Sequence, residues 1–202
     1  MRTFIVTGCG TDVGKTIVSA ILTVAFGGDY WKPIESGESD ANRVKQLIPP
    51  NRVHDPVYRF KAALSPHHAA RLEGVSIDCE RMMTPVSQRP LIIETAGGVL
   101  VPLNGRQLAI DLFSGWKATW IVVSRHYLGS INHTLLTLEA LKQRKIQPHC
   151  LIFNGEPHRD SEEAIMHFSG VTQFCRLFPE EVFTPIIIKR YAKIWRKQLT
   201  HS

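Results

Sequence analysis

Unbroken apolar runs alternate with stretches of helical period along the chain. Phe4-Ile5-Val6 is the first run; it stops in a glycine-rich turn before Ile17, Val18, Ala20 and Ile21 open a helix that Gly27-Gly28 end. Residues 30–34 predict a second strand, followed by a polar turn over 35–40 and a helix over 41–48, capped by Ser39 or Asp40 and stopped by Pro49-Pro50. A brief strand over 57–60 precedes a helix over 65–74 that a proline starts and a glycine stops. Residues 90–94 predict a strand that is apolar until its terminal Glu94, after which come Thr95-Ala96-Gly97-Gly98. A strand over 120–123, a helix over 131–144 and a strand over 150–154 with a polar tip, Asn154, continue the alternation. Apolar strands interleaved with helices predict an α/β fold: one domain over 1–202, with a mostly parallel sheet flanked by helices on both faces.

The first turn carries the chemistry. It reads Gly8-Cys9-Gly10-Thr11-Asp12-Val13-Gly14-Lys15-Thr16. A strand that ends in such a turn and restarts as a helix aims several backbone N–H groups and the helix's positive end at one point, which suits phosphate. This is the P-loop pattern with one extra residue: Lys15 reaches the β- and γ-phosphates, and the Thr16 hydroxyl takes a place on the accompanying magnesium. The fold class is therefore P-loop NTPase-like. Glu94, at the C-terminal tip of a buried parallel strand, lies where open α/β sheets bind ligands, so it is expected to face the loop.

Composition changes this picture little. A chain of 202 residues can bury a substantial core without staples. Cys9, Cys79, Cys150 and Cys175 are scattered without a Cys-x-x-Cys pair, which argues against a zinc site or a disulfide framework and fits a reducing cytoplasm. The chain opens on a strand rather than a charged-then-apolar leader, and no apolar run approaches the ~20 residues that cross a bilayer; no membrane association is expected. The net charge of +6 gathers at the end: Lys189, Arg190, Lys193, Arg196 and Lys197 interleave with Ile188, Tyr191, Ile194, Trp195 and Leu199. That is an amphipathic basic helix, expected to pack on the body or on a second subunit with a solvated basic face rather than to bind nucleic acid.

Several strings, in order, resemble the dethiobiotin synthetase family. Thr7-Gly8 to Lys15-Thr16 matches its extended P-loop, Lys32-Pro33-Ile34-Glu35-Ser36-Gly37 its Lys-Pro-x-x-Ser-Gly, and Ser39-Asp40-Ala41 its Ser-Asp-Ala. Ser65-Pro66-His67, Ala69-Ala70 and Glu73-Gly74 match a third block. Glu94 to Gly98 with Val101-Pro102-Leu103 resembles Glu-Gly-Ala-Gly-Gly and Pro-Leu, Leu128-Gly129-Ser130-Ile131-Asn132-His133 its Leu-Gly-x-Ile-Asn-His, and Asn154 its strand-end asparagine. The resemblance runs to about residue 154 and then fades.

It implies an ATP- and magnesium-dependent ligase. One amine of 7,8-diaminononanoate captures carbon dioxide as a carbamate, the carbamate attacks the γ-phosphate of ATP, and the second amine displaces phosphate to close the ring. It implies catalytic roles for Lys15, Lys32, Thr11 and Ser36, and nucleotide contacts from Gly10, Thr11, Asp12, Val13, Gly14, Lys15, Thr16, Ile17 and Asn154, the last reading adenine. Thr16, Asp40 and Glu94 would hold Mg²⁺. Ser36, Ala96 and Gly97 would line the diamine, and Gly129, Ser130 and Asn132 would receive its carboxylate across the interface of a homodimer.

The residues alone leave duller readings open: Lys32 as a solvated strand end, Asp40 as a helix cap, Glu94 as a buried acid paired with a lysine, Asn132 and Asn154 as turn formers. Asp12 stands where the family has Glu and Thr95 where it has Gly, and its Gly-Glu-x-Pro is represented only by Arg176-Leu177-Phe178-Pro179, which leaves base selectivity open. Rival functions are a switch ATPase of the chromosome-partitioning or division-site type, against which the lack of a lysine early in the loop weighs, a nucleic-acid-binding module with vestigial nucleotide binding, suggested only by the basic C-terminus, and another ATP-dependent ring- or amide-forming ligase.

Overall fold

A computed structural model describes residues 2–200; Met1, His201 and Ser202, included in the single unit expected over 1–202, lie outside the described residues. The chain starts in the middle of its sheet. β1 (Thr3–Gly8) is followed by α1 (Lys15–Phe26), β2 (Asp29–Trp31), β3 (Ile34–Ser36), α2 (Asp40–Lys45), β4 (Val53–His54), β5 (Tyr58–Phe60) and α3 (Pro66–Leu72). Then come β6 (Leu91–Glu94), α4 (Ala109–Ser114), β7 (Thr119–Arg125), α5 (Ser130–Gln143), β8 (Cys150–Asn154), α6 (Arg159–Ser169), β9 (Phe174–Leu177) and α7 (Pro185–Thr200).

Seven strands form one sheet in the order β4-β2-β6-β1-β7-β8-β9, every neighbouring pair parallel. The chain leaves β1 toward β2 and β4, returns to β6 at its side, and then builds outward the other way through β7. The reversal opens a crevice at the C-terminal tip of β1, where the glycine-rich turn lies.

Alternating side chains divide between two cores. Phe4, Val6, Ile121, Val123 and Ile152 pack with α1 and α7, while Ile5, Trp120, Val122, Leu151 and Phe153 pack with α3, α4, α5 and α6. Both faces are covered, which is why these strands read as unbroken apolar runs. The stripe Ile188, Tyr191, Ala192, Trp195 and Leu199 seats α7 against α1, leaving its basic residues exposed. Ile194 does not join that stripe and is 48% exposed. No described helix is long and apolar enough to cross a membrane.

The structure corrects several boundaries. The strand expected over 30–34 is broken in two, because Pro33 has no N–H to give a ladder. β2 stays in the main sheet, whereas β3 pairs with β5 in a small parallel sheet of its own. The helix expected over 41–48 spans Asp40–Lys45; Ser39 is its cap, with Oγ accepting the Asn42 N–H at 3.2 Å, and Asp40 is its first residue. The pattern of apolar and polar positions predicts no counterpart of α4, α6, β4 or β9.

Candidate active site

The glycine-rich turn wraps toward the start of α1. Gly14 has φ 102°, a left-handed conformation that L side chains rarely adopt, and a Cβ there would lie 2.5 Å from Asn154 Nδ2. That same amide donates to Val13 O at 2.8 Å, so the tip of β8 is latched onto the loop. Asp12 is also left-handed, at φ 57°, a conformation that a short acidic side chain tolerates better than most. Lys15 is buried and donates to Gly10 O at 2.7 Å. Burial lowers its pKa to about 8, against the attraction of Glu94 and with the repulsion of Lys32.

The opposite wall comes from three elements. Lys32 follows β2, Asp40 opens α2 and Glu94 ends β6. Thr16 Oγ1 donates to Asp40 Oδ1 at 2.7 Å and lies 3.0 Å from Glu94 Oε1. Lys32 Nζ bridges the two acids, in contact with Asp40 Oδ2 and 3.0 Å from Glu94 Oε1. The Tyr30 hydroxyl donates to Glu94 Oε2 at 2.9 Å. Burial pulls Lys32 down, but Glu94 and Asp40 outweigh it and hold the ammonium above its ordinary value. Burial likewise works against the charge on Asp40, and Lys32 more than compensates, holding the carboxyl below its usual range. For Tyr30, burial and the charge of Glu94 both push the phenol up, so it remains a donor.

Lys32 and Glu94 are thus paired, as the plainer reading of Glu94 expects, and the same cluster suits a metal. A hydroxyl with a carboxylate oxygen from each of two acids within 3.0 Å of it supplies the hard oxygen donors that Mg²⁺ prefers, with coordination left for water and phosphate. Among the described residues no cluster of three or more His, Cys, Asp or Glu side chains is arranged to hold a metal, so the Thr16 hydroxyl completes this set.

Thr11, Asp12, Gly14, Lys15, Thr16, Ile17, Lys32, Asp40, Glu94, Gly97 and Asn154 line one cavity of about 430 Å³. Gly10 and Val13 belong to the loop beneath it. Ser36 and Ala96, both partly buried, are not among its lining residues. The structure does not bring Gly129, Ser130 or Asn132 to the cavity of their own chain. Gly129 caps α5 at φ 101°, the Ser130 N–H is taken by Tyr127 O at 3.0 Å, and Asn132 lines a separate groove with Glu139 and Lys142. Between the loop and α5 a second recess of about 350 Å³ is lined by Cys9, Gly10, Thr11, Gly98, His133 and Thr137. Cys9 touches Thr134 Oγ1 there at 3.5 Å, and burial raises its thiol pKa.

Four lining residues were missed: Arg43, Arg125, Leu177 and Phe183. Arg125 Nη1 donates to Asp12 O at 3.4 Å. Of the string Arg176 to Pro179, only Leu177 reaches the cavity; Arg176 turns away to pair with buried Glu162, and the Phe178 N–H donates to the Tyr191 hydroxyl at 3.1 Å. A run of Arg or Leu at a strand end carries no motif, so sequence spacing gives no handle on them.

A fully parallel sheet with a phosphate loop at its switch point, and Lys15 and Thr16 inside the crevice, defines a P-loop protein of the nucleoside-triphosphate-binding class. A family model described as an AAA domain matches residues 2–186. Solved structures of similar fold include a ParA family ATPase from Chlorobium tepidum (TM-score 0.58, 12% identity, 99% of each chain) and the MinC:MinD cell division complex of Aquifex aeolicus (TM-score 0.60, 12% identity, 100% of this chain and 96% of that one). At that identity the likeness is one of fold.

Curated relatives narrow the class. The ATP-dependent dethiobiotin synthetase BioD of Christiangramia forsetii is 43% identical over 207 aligned positions, 98% of each chain, and that of Cytophaga hutchinsonii is 44% identical over 197, covering 95% of this chain and 96% of its own. The chain belongs to the ATP-dependent dethiobiotin synthetase family. The similarity continues well past residue 154, where the motif-by-motif match had faded.

Proposed function

We propose that the chain closes the ureido ring of dethiobiotin from 7,8-diaminononanoate, carbon dioxide and ATP, releasing ADP and phosphate. The observation that carries this reading is the convergence of Lys15, Lys32, Thr16, Asp40 and Glu94 on one cavity in a member of this family. Every intermediate is anionic: an amine captures carbon dioxide as a carbamate and loses a proton, a carbamate oxygen takes the γ-phosphoryl group as ADP departs, and the second amine attacks the carbonyl carbon as phosphate leaves. Preorganised cations are what such a sequence needs.

Lys15 would follow the transferring phosphoryl group from the loop side, and the ATP phosphates would hold its proton in place. Lys32, charged throughout the working pH range, would sit where carbamate and γ-phosphate meet. Thr11 and Ser36 would donate to phosphate and carbamate, and Ala96 and Gly97 would line the diamine. Thr16, Asp40 and Glu94 would hold Mg²⁺, which when bound neutralises charge on the β- and γ-phosphates. Asn154 has one amide hydrogen committed to Val13, leaving its other hydrogen and its oxygen for the base edge.

The start of α5 would serve a second copy. Around it Leu100, Tyr127, Leu128 and Leu136 are exposed apolar residues, Leu128 fully so, a surface suited to burial in a homodimer. In that arrangement Gly129, Ser130 and Asn132 would reach the carboxylate of a substrate bound in the partner. The cytoplasm, where ATP is at hand and Cys9, Cys79, Cys150 and Cys175 stay free thiols, is the fitting compartment.

The test is mass spectrometry of the purified protein with ATP, Mg²⁺, bicarbonate and the diamine. The cyclic urea and ADP are expected in equal amounts. ATP hydrolysed equally well without the diamine would turn the reading toward a switch ATPase.

A further inference from the structure

Glu35 occupies a variable place in the family's Lys-Pro-x-x-Ser-Gly string, and by sequence it belongs to a polar turn. In the structure it is wholly buried. It lies on β3 between Ile34, which faces the apolar core, and Ser36. Strand alternation therefore sends its carboxylate to the other side of the small sheet, toward the start of α2. There Oε1 accepts the Ala41 N–H at 2.7 Å, and Oε2 accepts from Ser39 Oγ at 2.9 Å and from Arg59 Nε at 3.1 Å. Ser39 and Ala41 are the residues immediately before and after Asp40. A buried carboxylate is costly unless it is paired and hydrogen-bonded, and these three donors, one of them a guanidinium, do both.

The geometry points to Glu35 as the positioning residue that fixes Asp40 in register with Thr16 and Glu94. One carboxylate grips both flanks of the residue whose own carboxylate meets Thr16 Oγ1 at 2.7 Å and Lys32. Arg59, its cross-strand partner on β5, balances the charge and ties the grip to the small sheet. The backbone at position 40 is thus held from a second strand rather than by the short helix α2 alone. This inference rests on the reading of Asp40 as part of the metal-holding face, and it assigns Glu35 no contact with substrate.

The test separates Mg²⁺-dependent from Mg²⁺-independent nucleotide binding in the full-length protein. Glu35→Ala is expected to raise the Mg²⁺ concentration for half-maximal ATP turnover about tenfold, the scale on which outer contacts tune a metal site. Its affinity for ATP in EDTA, and the rise in melting temperature that ATP alone produces, should stay at the wild-type values, because the loop is untouched. Glu35→Gln keeps an acceptor for the Ala41 N–H and should recover most of the Mg²⁺ response. Should Glu35→Ala not fold, Ser39→Ala removes one of the two flanking contacts and should shift the Mg²⁺ requirement in the same direction by less. A wild-type Mg²⁺ requirement in the folded variants, or equal losses with and without Mg²⁺, overturns the inference. Asp40→Ala is the control: if it leaves the Mg²⁺ requirement unchanged, the metal-face reading itself falls, whereas a shift there with none at Glu35 or Ser39 sinks only the positioning role.

Discussion

The two walls of the cavity present a lysine each, in opposite electrostatic condition. On the loop wall Lys15 faces the Gly10 carbonyl, and burial brings its pKa down to about 8. On the far wall Lys32 lies between Asp40 and Glu94 and is held above its ordinary value despite equal burial. The loop wall is built by backbone over nine consecutive residues, Gly8 to Thr16, and its charge is left short of a partner. The far wall is built by side chains from three separate elements, and its charges are already matched. One wall is therefore prepared to receive an anion, while the other keeps its cation in place by internal pairing.

The largest expected effect breaks that contrast from the far side. Lys32→Ala leaves Glu94, which is 1% exposed, without its ammonium and beside Asp40. Removing one partner of a buried pair costs about 3–5 kcal/mol, so urea unfolding should show a loss of that order together with lost turnover. Mg²⁺ should stabilise this variant more than it stabilises the wild type, since it meets the same two acids. A wild-type unfolding midpoint would show that the pairing contributes nothing to the fold.

Lys15→Ala should behave in the reverse way. No carboxylate loses its main partner, so the unfolding midpoint should hold or rise, while turnover falls about 10²–10³-fold, the usual scale for one preorganised donor to a developing charge. Equal destabilisation in the two alanine variants would erase the distinction between the walls.

A smaller effect follows from Lys15 alone. Below about pH 8 the free protein carries this ammonium charged; above it the group is neutral. ATP binds the charged form, so affinity should weaken as pH rises through that point, by at most about tenfold per pH unit because one proton is linked. Calorimetry at pH 9 in two buffers should register proton uptake on binding, and no uptake at that pH would mean that Lys15 stays charged without ATP.

The two walls also differ in how far the sequence discloses them. The loop wall is local: an apolar run, glycines at fixed spacing and a Lys-Thr pair lie within one short stretch, and the structure builds what those residues lead one to expect. Glu94 was legible through its place at a strand tip and Asp40 through the Ser-Asp-Ala string. Glu35 was not, because a buried acid and a turn acid look alike until the strand that carries it is known to leave the main sheet. That departure turns on Pro33, whose missing N–H splits the expected strand in two. α6 and β9 escaped for a different reason. α6 buries only Glu162 and Ile165, and β9 interrupts its apolar residues with Arg176, which reaches back to Glu162, so neither shows a clean period. The cavity residues Leu177 and Phe183 were hidden with them.

The smallest effect belongs to the hydroxyl of Ser36, in the small sheet and outside the lining of the cavity. Ser36 Oγ is buried and finds no hydrogen-bond partner among the described residues, whereas the residue before it on the strand, Glu35, accepts from three donors. A buried hydroxyl with no partner works against folding, and removing it should leave stability unchanged or raise it by up to about 1 kcal/mol. If the role proposed for Ser36 is correct, the same change removes one neutral donor to the carbamate or phosphate and lowers kcat/KM about tenfold, the equivalent of one ordinary hydrogen bond. Ser36→Ala should therefore move stability and activity in opposite directions, which a purely structural serine cannot do. A variant with wild-type kcat/KM and a higher unfolding midpoint would mark Ser36 as an unused polar group, and would leave the reacting anion to the two lysines and Thr11.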